Sequence, residues 1–261
     1  MCRVLLVGHG RVGRAAFADY RGATLTDDTL MVTDPVVTVP FGFEWDGQLV
    51  DLAIVMVDTP ADKDSFGFDY TDLREAVMQA LVVADFVLVR STVSLDFLGQ
   101  RVYRENAQRI GYCPEFYGVT PNSRRGAVEL GFTIFSDNVP DWVSDRVCIG
   151  KKLVAPIREA IVCKLTENAY LATKVTFFHE LYLMCQTLGL DFDTVRELVT
   201  TDPRITPHHS YCDGHVGWSS HCFDKDVPEF LRLSPHDAWL VESVLWSNVD
   251  HLLPLSEHDG S

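Results

Sequence analysis

The sequence has no long apolar run. Its longest, the six residues Leu52–Val57, falls far short of the roughly 18 that would read as a membrane span, so no membrane partner is expected. Basic residues are scarce, 22 Lys and Arg against 37 Asp and Glu, for a formal charge of −15. Such a field repels phosphate backbones and anionic surfaces, which argues against nucleic acid as a partner. Six of the basic residues are lysines, so a lysine inside a motif stands out. Seven cysteines, an odd number with no Cys-x-x-Cys pair, fit neither a disulfide framework nor a zinc ribbon. The opening Met-Cys-Arg-Val-Leu-Leu-Val-Gly has no secretory apolar region and no cleavage site, and reads as a first strand. A reducing cytoplasm is the expected compartment.

What is present is a 261-residue chain, 47% apolar and 23% charged, with material for two modest domains. The first 150 residues alternate short apolar runs with amphipathic stretches, the rhythm of βαβ units and a parallel sheet. Strands are expected at Arg3–Val7, Leu30–Thr33, Leu52–Val57, Phe86–Arg90, Ile110–Cys113 and Arg146–Ile149, with a helix over Tyr70–Val83 behind a Thr71 cap. After Gly150 the pattern turns helical. From Pro156 apolar residues recur at helical spacing until Gly189, one helix of about 32 residues and about 48 Å. A shorter helix at Thr194–Thr200, a loop from Asp202 to Asp226 rich in Gly, His and Ser, and a last helix opening at Ser234-Pro235-His236-Asp237 and running to about Leu252 complete the reading. The tail Ser256–Ser261 is expected to fray. The fold class is therefore α/β, a Rossmann-like parallel sheet domain (1–153) followed by a helical domain (154–261) built on one long central helix.

Gly8-His9-Gly10-Arg11-Val12-Gly13 follows the first strand and opens a helix, the context that gives a Gly-x-Gly-x-x-Gly pattern meaning. The glycines allow a tight turn, close approach to a pyrophosphate and packing of helix on sheet, while Arg11 and Val12 begin the helix whose N-terminus meets the phosphates. Asp34 ends the second strand 21 residues past Gly13, where an acid takes ribose hydroxyls. Pro35, Val36 and Val37 follow with no arginine for a 2′-phosphate, so the expected cofactor is NAD rather than NADP.

Lys164 and Asn168 stand four apart on the long helix and share a face. An ammonium and a carboxamide there can stabilise a developing alkoxide, and Lys164 can relay the alcohol proton. The segment Lys164-Leu165-Thr166-Glu167-Asn168-Ala169-Tyr170-Leu171-Ala172-Thr173-Lys174, continuing to Phe178-His179-Glu180, resembles the central helix of the UDP-glucose/GDP-mannose dehydrogenases. Asp58-Thr59-Pro60, Arg90-Ser91-Thr92-Val93 and Tyr112-Cys113-Pro114-Glu115-Phe116 resemble that family's successive loops. Asp202-Pro203-Arg204-Ile205 and Gly217-Trp218-Ser219-Ser220-His221-Cys222-Phe223-Asp224-Lys225-Asp226 resemble its loop around a catalytic cysteine. Order and spacing agree over about Arg3 to Asp250.

The resemblance implies an enzyme that takes a primary alcohol to a carboxylate in two NAD-dependent steps without releasing the aldehyde. It implies Cys222 as nucleophile, Lys164 and Asn168 at the oxyanion, and Glu115, Thr92 and Asp226 handling the hydrolytic water. Thr59, Pro60, Ser91, Thr92 and Lys225 would lie on the cofactor side, with Lys225 favouring the thiolate of Cys222. Glu115, Phe116, Tyr117, Lys164, Asn168, His209, Gly217 and His221 would face the substrate, a sugar nucleotide or related nucleotide or nucleoside. A homodimer through the long helix is implied, with Arg204 reaching the partner's site.

The chain departs from the family in three respects. The usual Gly-Phe-Gly-Gly-Ser-Cys has Ser219, Ser220 and His221 before Cys222. Pro-Glu-Phe is followed by Tyr117-Gly118-Val119 instead of Leu-Arg-Glu. The resemblance is to a short form, without the C-terminal domain on which the family holds its nucleotide. His208, His209, Cys212, His215, His221 and Cys222 fall within 15 residues, but no spacing matches a known zinc module, and no metal is expected. Two alternatives stay open: a two-electron dehydrogenase resembling the β-hydroxyacid dehydrogenases, and a non-catalytic NAD- or nucleotide-binding protein.

Overall fold

Strand β1 (Arg3–Val7) has an almost wholly apolar, buried sequence because it sits inside a parallel sheet covered on both faces. A computed structural model shows this sheet with strands in the order β2-β1-β3-β4-β5, where β2 is Thr29–Thr33, β3 Val50–Val55, β4 Ala84–Val89 and β5 Ile110–Tyr112. The structure describes all residues but 26, 64–66, 121–122, 126–129, 235 and 253–261, and of 118–120, 123–125 and 249–252 the backbone alone. In register, Leu6 lies beside Val32 and Ile54, and Ile54 beside Leu88. Leu6, Ile54 and Leu88 are fully buried, each contributing about 1.5–3 kcal/mol of apolar burial.

Helix α1 (Arg11–Asp19) follows β1 and widens into a π-type turn at Tyr20–Thr24. Helix α2 (Thr71–Val83) leads into β4, and a short helix α3 (Arg101–Asn106) precedes β5. A hairpin of β6 (Gly118–Thr120) and β7 (Ser123–Arg125) comes next. Then β8 (Phe132–Ser136) pairs in parallel with β9 (Lys151–Ala155) around α4 (Asp141–Val147). Helix α5 (Ile157–Leu188) runs for 32 residues, followed by α6 (Phe192–Thr200), α7 (Phe223–Leu233) and α8 (Trp239–Leu252). No helix among the described residues is long and apolar enough to cross a membrane.

The chain divides into two compact units, Met1–Lys164 and Leu165–Ser261, and the division falls inside α5. The first unit is organised on the sheet core, with Phe17 from α1 and Val143 from α4 packed into it. In the second, Trp218 packs with Ala172 of α5, Val227 of α7 and Val244 of α8. A separate cluster joins Phe178 and Cys185 of α5 to Phe192 of α6.

Four local expectations need correction. Arg146–Ile149 is not a strand: its first two residues end α4, whose Val143 and Val147 are buried one turn apart, and the strands here are β8 and β9. Thr71 is the first residue of α2 rather than its cap, and its N–H bonds the Asp69 carboxylate. The loop expected to run to Asp226 ends earlier, because α7 starts at Phe223. Ser234 closes α7 instead of opening α8, which begins at Trp239. Pro235 and Ser256–Ser261 lie outside the described residues.

Candidate active site

Within the first unit, the chain leaves β1 toward β2 on one side and β3 on the other, which places a crevice at the carboxyl ends of β1 and β3. Gly8 turns there at φ +101°, and a Cβ on it would stand 2.3 Å from the carbonyl oxygen of Met56. A Cβ on Gly13 would stand 2.1 Å from the carbonyl oxygen of Gly8, so both positions require glycine. Gly10 has open space instead, and as N-cap of α1 it supplies no capping side chain. Arg11, Val12 and Gly13 thus begin a helix whose first turn faces an open cradle, as a pyrophosphate needs. The Asp34 carboxylate accepts the N–H of His9 at 2.5 Å, Val36 at 2.8 Å and Val37 at 2.7 Å. Burial pushes this carboxyl up, but the bonds from His9, Val37 and Val36 outweigh it and hold it below the usual range. Asp34 is therefore an ionised acceptor at the crevice, and the cradle fits a dinucleotide with free ribose hydroxyls. His9 is buried with Nδ1 unpartnered. Desolvation, reinforced by Arg14 and opposed by Asp34, pushes its imidazole down.

The loops after β3 and β4 are tied together beside this crevice. Thr59 Oγ1 donates to the carbonyl of Thr92 at 2.7 Å, and Ser91 Oγ donates to the carbonyl of Val57 at 2.7 Å while accepting its N–H at 3.0 Å. Thr59, Ser91 and Thr92 are buried, and Pro60 is exposed. After β5, Glu115 is buried and its carboxylate accepts the N–H of Tyr117 at 2.8 Å. Its other oxygen lies 3.8 Å from Lys164 Nζ, which in turn stands 4.9 Å over the Phe116 ring. Glu115, Phe116, Tyr117 and Lys164 therefore form one cluster.

In the second unit, Asp226 is wholly buried and its carboxylate joins two expected site residues. Asn168 Nδ2 donates to one oxygen at 2.5 Å, and Lys225 Nζ to the other at 2.6 Å. The N–H of Asp226 bonds the carbonyl of Cys222 at 2.9 Å, which puts the cysteine in the turn that opens α7. Ser220 Oγ accepts the N–H of Phe223 at 2.9 Å, and the Asp224 carboxylate accepts from the Ser220 N–H at 3.1 Å and Ser219 Oγ at 3.2 Å. Of the two serines that replace family glycines, Ser220 thus accepts an N–H of the cysteine-bearing turn and Ser219 is tied to it through Asp224. Trp218 fixes the loop from the other side: both its backbone groups bond Asn248 of α8, and its indole N–H bonds Thr176 Oγ1 at 3.0 Å. Gly217, at φ +95°, donates its N–H to His179 Nδ1 at 3.0 Å.

The remaining expected residues are dispersed. His209 holds a left-handed φ of 59°, with its ring 6.4 Å from Phe223. His221 is exposed on the capping turn. Arg204 is exposed and bonds Asp202 at 2.5 Å. No group of three or more metal-ligating side chains occurs among the described residues. Sequence reasoning missed Thr176 and Asn248, whose partners lie 42 and 30 residues away. A lone amide at position 248, in the mostly apolar stretch of α8, was the available signal.

The site thus combines a Rossmann-like sheet with an open glycine cradle, one long helix and a hydrogen-bonded cysteine turn. Residues 158–250 match the model of the UDP-glucose/GDP-mannose dehydrogenase family, central domain. The UDP-glucose 6-dehydrogenase of Streptococcus pneumoniae is 27% identical over 219 residues, 76% of this chain and 54% of the relative. The chain thus spans about half the length of that curated relative. A UDP-glucose dehydrogenase from Pyrobaculum islandicum superposes with a TM-score of 0.75 at 22% identity, covering 96% of this chain and 68% of that one. A Mycobacterium tuberculosis 3-hydroxyisobutyrate dehydrogenase superposes at 0.62 and 14% identity, covering 96% and 95%. Likenesses at these identities show the shared fold.

Proposed function

We propose that the protein is an NAD-dependent dehydrogenase that oxidises a primary alcohol on a sugar nucleotide or related nucleotide to the carboxylate, through a thioester on Cys222. The observation that carries this reading is the buried Asp226 carboxylate, bonded by Asn168 and Lys225 and one turn from Cys222, within a match to the family's central domain. A buried acid held between an amide and an ammonium beside a nucleophile suits a reaction site better than a packing site.

Gly8, Gly10, Arg11, Val12, Gly13 and Asp34 would hold NAD, with Thr59, Pro60, Ser91, Thr92 and Lys225 toward its nicotinamide half. When bound, NAD would accept one hydride, so the two oxidations would use two NAD molecules in succession. Lys164 and Asn168, one helical turn apart, hold the alcohol oxygen and stabilise its developing negative charge, with the proton leaving through Lys164. The Cys222 thiolate adds to the resulting aldehyde carbon, and the C–S bond keeps the aldehyde from leaving. Loss of a second hydride makes the thioester. Glu115, with Thr92 and Asp226 ordering the water, takes a proton as water attacks the carbonyl; the C–S bond breaks, giving the acid and restoring the thiol. Phe116, Tyr117, His209, Gly217 and His221 are assigned to substrate contact. The exposed Tyr170, Phe177 and Met184 recur every seven residues along α5, an apolar line that supports pairing with a second copy. The exposed Arg204 would then serve the partner's site.

The test counts NADH formed per acid released with UDP-glucose and related nucleotides. Two NADH per acid is the expected result, and Cys222→Ser should abolish acid formation. A full-length likeness to 3-hydroxyisobutyrate dehydrogenase favours a second reading, a two-electron oxidation. One NADH per turnover with Cys222 dispensable would establish that reading instead.

A further inference from the structure

Arg90 is the largest fully buried side chain in the protein's described residues, 2% exposed at the end of β4. No carboxylate among the described residues lies within ion-pair distance of it. Burying a guanidinium without such a partner costs several kcal/mol, so its environment must make up the loss. Nη1 donates to the Tyr20 hydroxyl, and Nε donates to the carbonyl of Cys113 at 3.2 Å. Its carbon centre lies 5.6 Å from the Tyr20 ring and 5.4 Å from the Tyr117 ring, both cation–π contacts. Burial pushes the Tyr20 phenol up to about 12, so it accepts the bond as a neutral hydroxyl.

These contacts flank one catalytic candidate. Cys113 lies two residues before Glu115 and Tyr117 two residues after, and the Tyr117 N–H is itself bonded to the Glu115 carboxylate. Tyr20 lies on the turn that continues α1, the helix opened by the glycine cradle. Tyr117 is also where the chain departs from the leucine usual in the family, and leucine offers a cation no aromatic face.

We propose that Arg90, clamped by Tyr20 and Tyr117, is a positioning residue for Glu115: it grips the β5 loop on both sides of the acid and fixes the carboxylate beside Lys164. The inference rests on the proposed role of Glu115 in hydrolysis, extends it to Arg90 and Tyr20, and gives Tyr117 a role beyond substrate contact. Arg90→Lys keeps the charge but loses the planar stack and the Nε bond to Cys113. Tyr117→Leu removes the aromatic face, and Tyr117→Phe keeps it.

The experiment measures turnover of UDP-glucose with NAD, together with hydrogen exchange of the Tyr117 amide. Arg90→Lys and Tyr117→Leu should lower kcat about tenfold or more, which is about 1.4 kcal/mol per decade. KM for NAD should stay within about twofold, and Tyr117→Phe should retain more of kcat than Tyr117→Leu. Exchange at the Tyr117 amide should quicken in the first two variants alone. Unchanged kcat, a parallel change of kcat and KM for NAD, or equal damage by Tyr117→Phe and Tyr117→Leu would overturn the proposal. If the wild type fails to oxidise UDP-glucose, the functional reading for that substrate fails, and the exchange data decide the clamp alone. Tyr117 exchange indifferent to Arg90→Lys then refutes it.

Discussion

The ion pair at the base of the cysteine turn offers a test in which two damaging changes should partly cancel. Lys225 is 9% exposed and Asp226 not at all, with 2.6 Å between their charged atoms. Asp226→Leu takes the bonded carboxylate from a buried ammonium, and Lys225→Met leaves a buried carboxylate with Asn168. Each should cost about 3–5 kcal/mol, the usual penalty for breaking a buried pair from one side. The double variant removes both charges and leaves the Asn168 amide short of its acceptor, at about 1–3 kcal/mol. Independent effects would sum to about 6–10 kcal/mol, so the expected coupling is about 5–7 kcal/mol in favour of the double variant. Adding Asn168→Leu should bring stability nearer to wild type, because no unpaired amide remains. The assay is guanidinium unfolding followed by tryptophan emission, since Trp218 is buried in the same unit, against Ala172, Val227 and Val244. A double variant whose loss equals the sum of the singles within about 0.5 kcal/mol would show that the pair is not a coupled buried unit.

Three further outcomes are expected. Gly13→Ala should destabilise by about 1–3 kcal/mol, since its Cβ would meet the Gly8 carbonyl at 2.1 Å. Gly10→Ala, with nothing within 4 Å, should leave the melting temperature near wild type while weakening NAD binding in calorimetry. Equal thermal damage from both would contradict the assigned cradle. Ser220→Ala should cost about 1 kcal/mol by removing the acceptor for the Phe223 N–H, and Ser220→Thr should recover most of it in the same unfolding assay. For Asp34, the folded pKa lies below the reference value of 3.8, so its stabilisation is present above about pH 4 and is lost as pH falls through the folded value. The stability gap between wild type and Asp34→Asn should therefore narrow on acidification below pH 4, and a gap that widened would reverse the assigned sign.

The parts legible in the sequence are those whose partners are near in the chain or whose burial is uniform. β1 could be read to the residue because Val4 to Val7 are buried on both faces and Gly8 ends them with a conformation side chains resist. The length of α5 followed from spacing between Pro156 and Gly189. By contrast, α7 looks like loop sequence: Asp224, Lys225, Asp226 and an internal Pro228 are poor signs of a buried helix, yet Lys225, Asp226 and Glu229 are all buried. They are inside because each charge is matched: Lys225 by Asp226, and Glu229 by Arg232 at 2.6 Å. Periodicity of apolar residues cannot reveal a face made of paired charges. β9 escaped for a related reason, since Lys151 and Val154 are both exposed and blur the alternation.

Ser219 and Ser220 show what a family comparison alone leaves undecided. As departures from glycine they read as added bulk at a place of close approach. In the fold they bond Asp224 and the Phe223 N–H, so the same substitutions stiffen the turn that carries Cys222. A glycine pair leaves that turn its backbone freedom, whereas the serines remove it by local hydrogen bonds. If the proposed reaction needs the cysteine turn to move between its two oxidations, Ser219→Gly with Ser220→Gly should raise turnover while lowering stability. If it needs Cys222 held in one place, both quantities should fall together. The Ser219 side-chain bond to Asp224 and the Ser220 side-chain bond to the Phe223 N–H favour the second outcome, because they join both serines to the first turn of the helix on which Lys225 and Asp226 are also fixed.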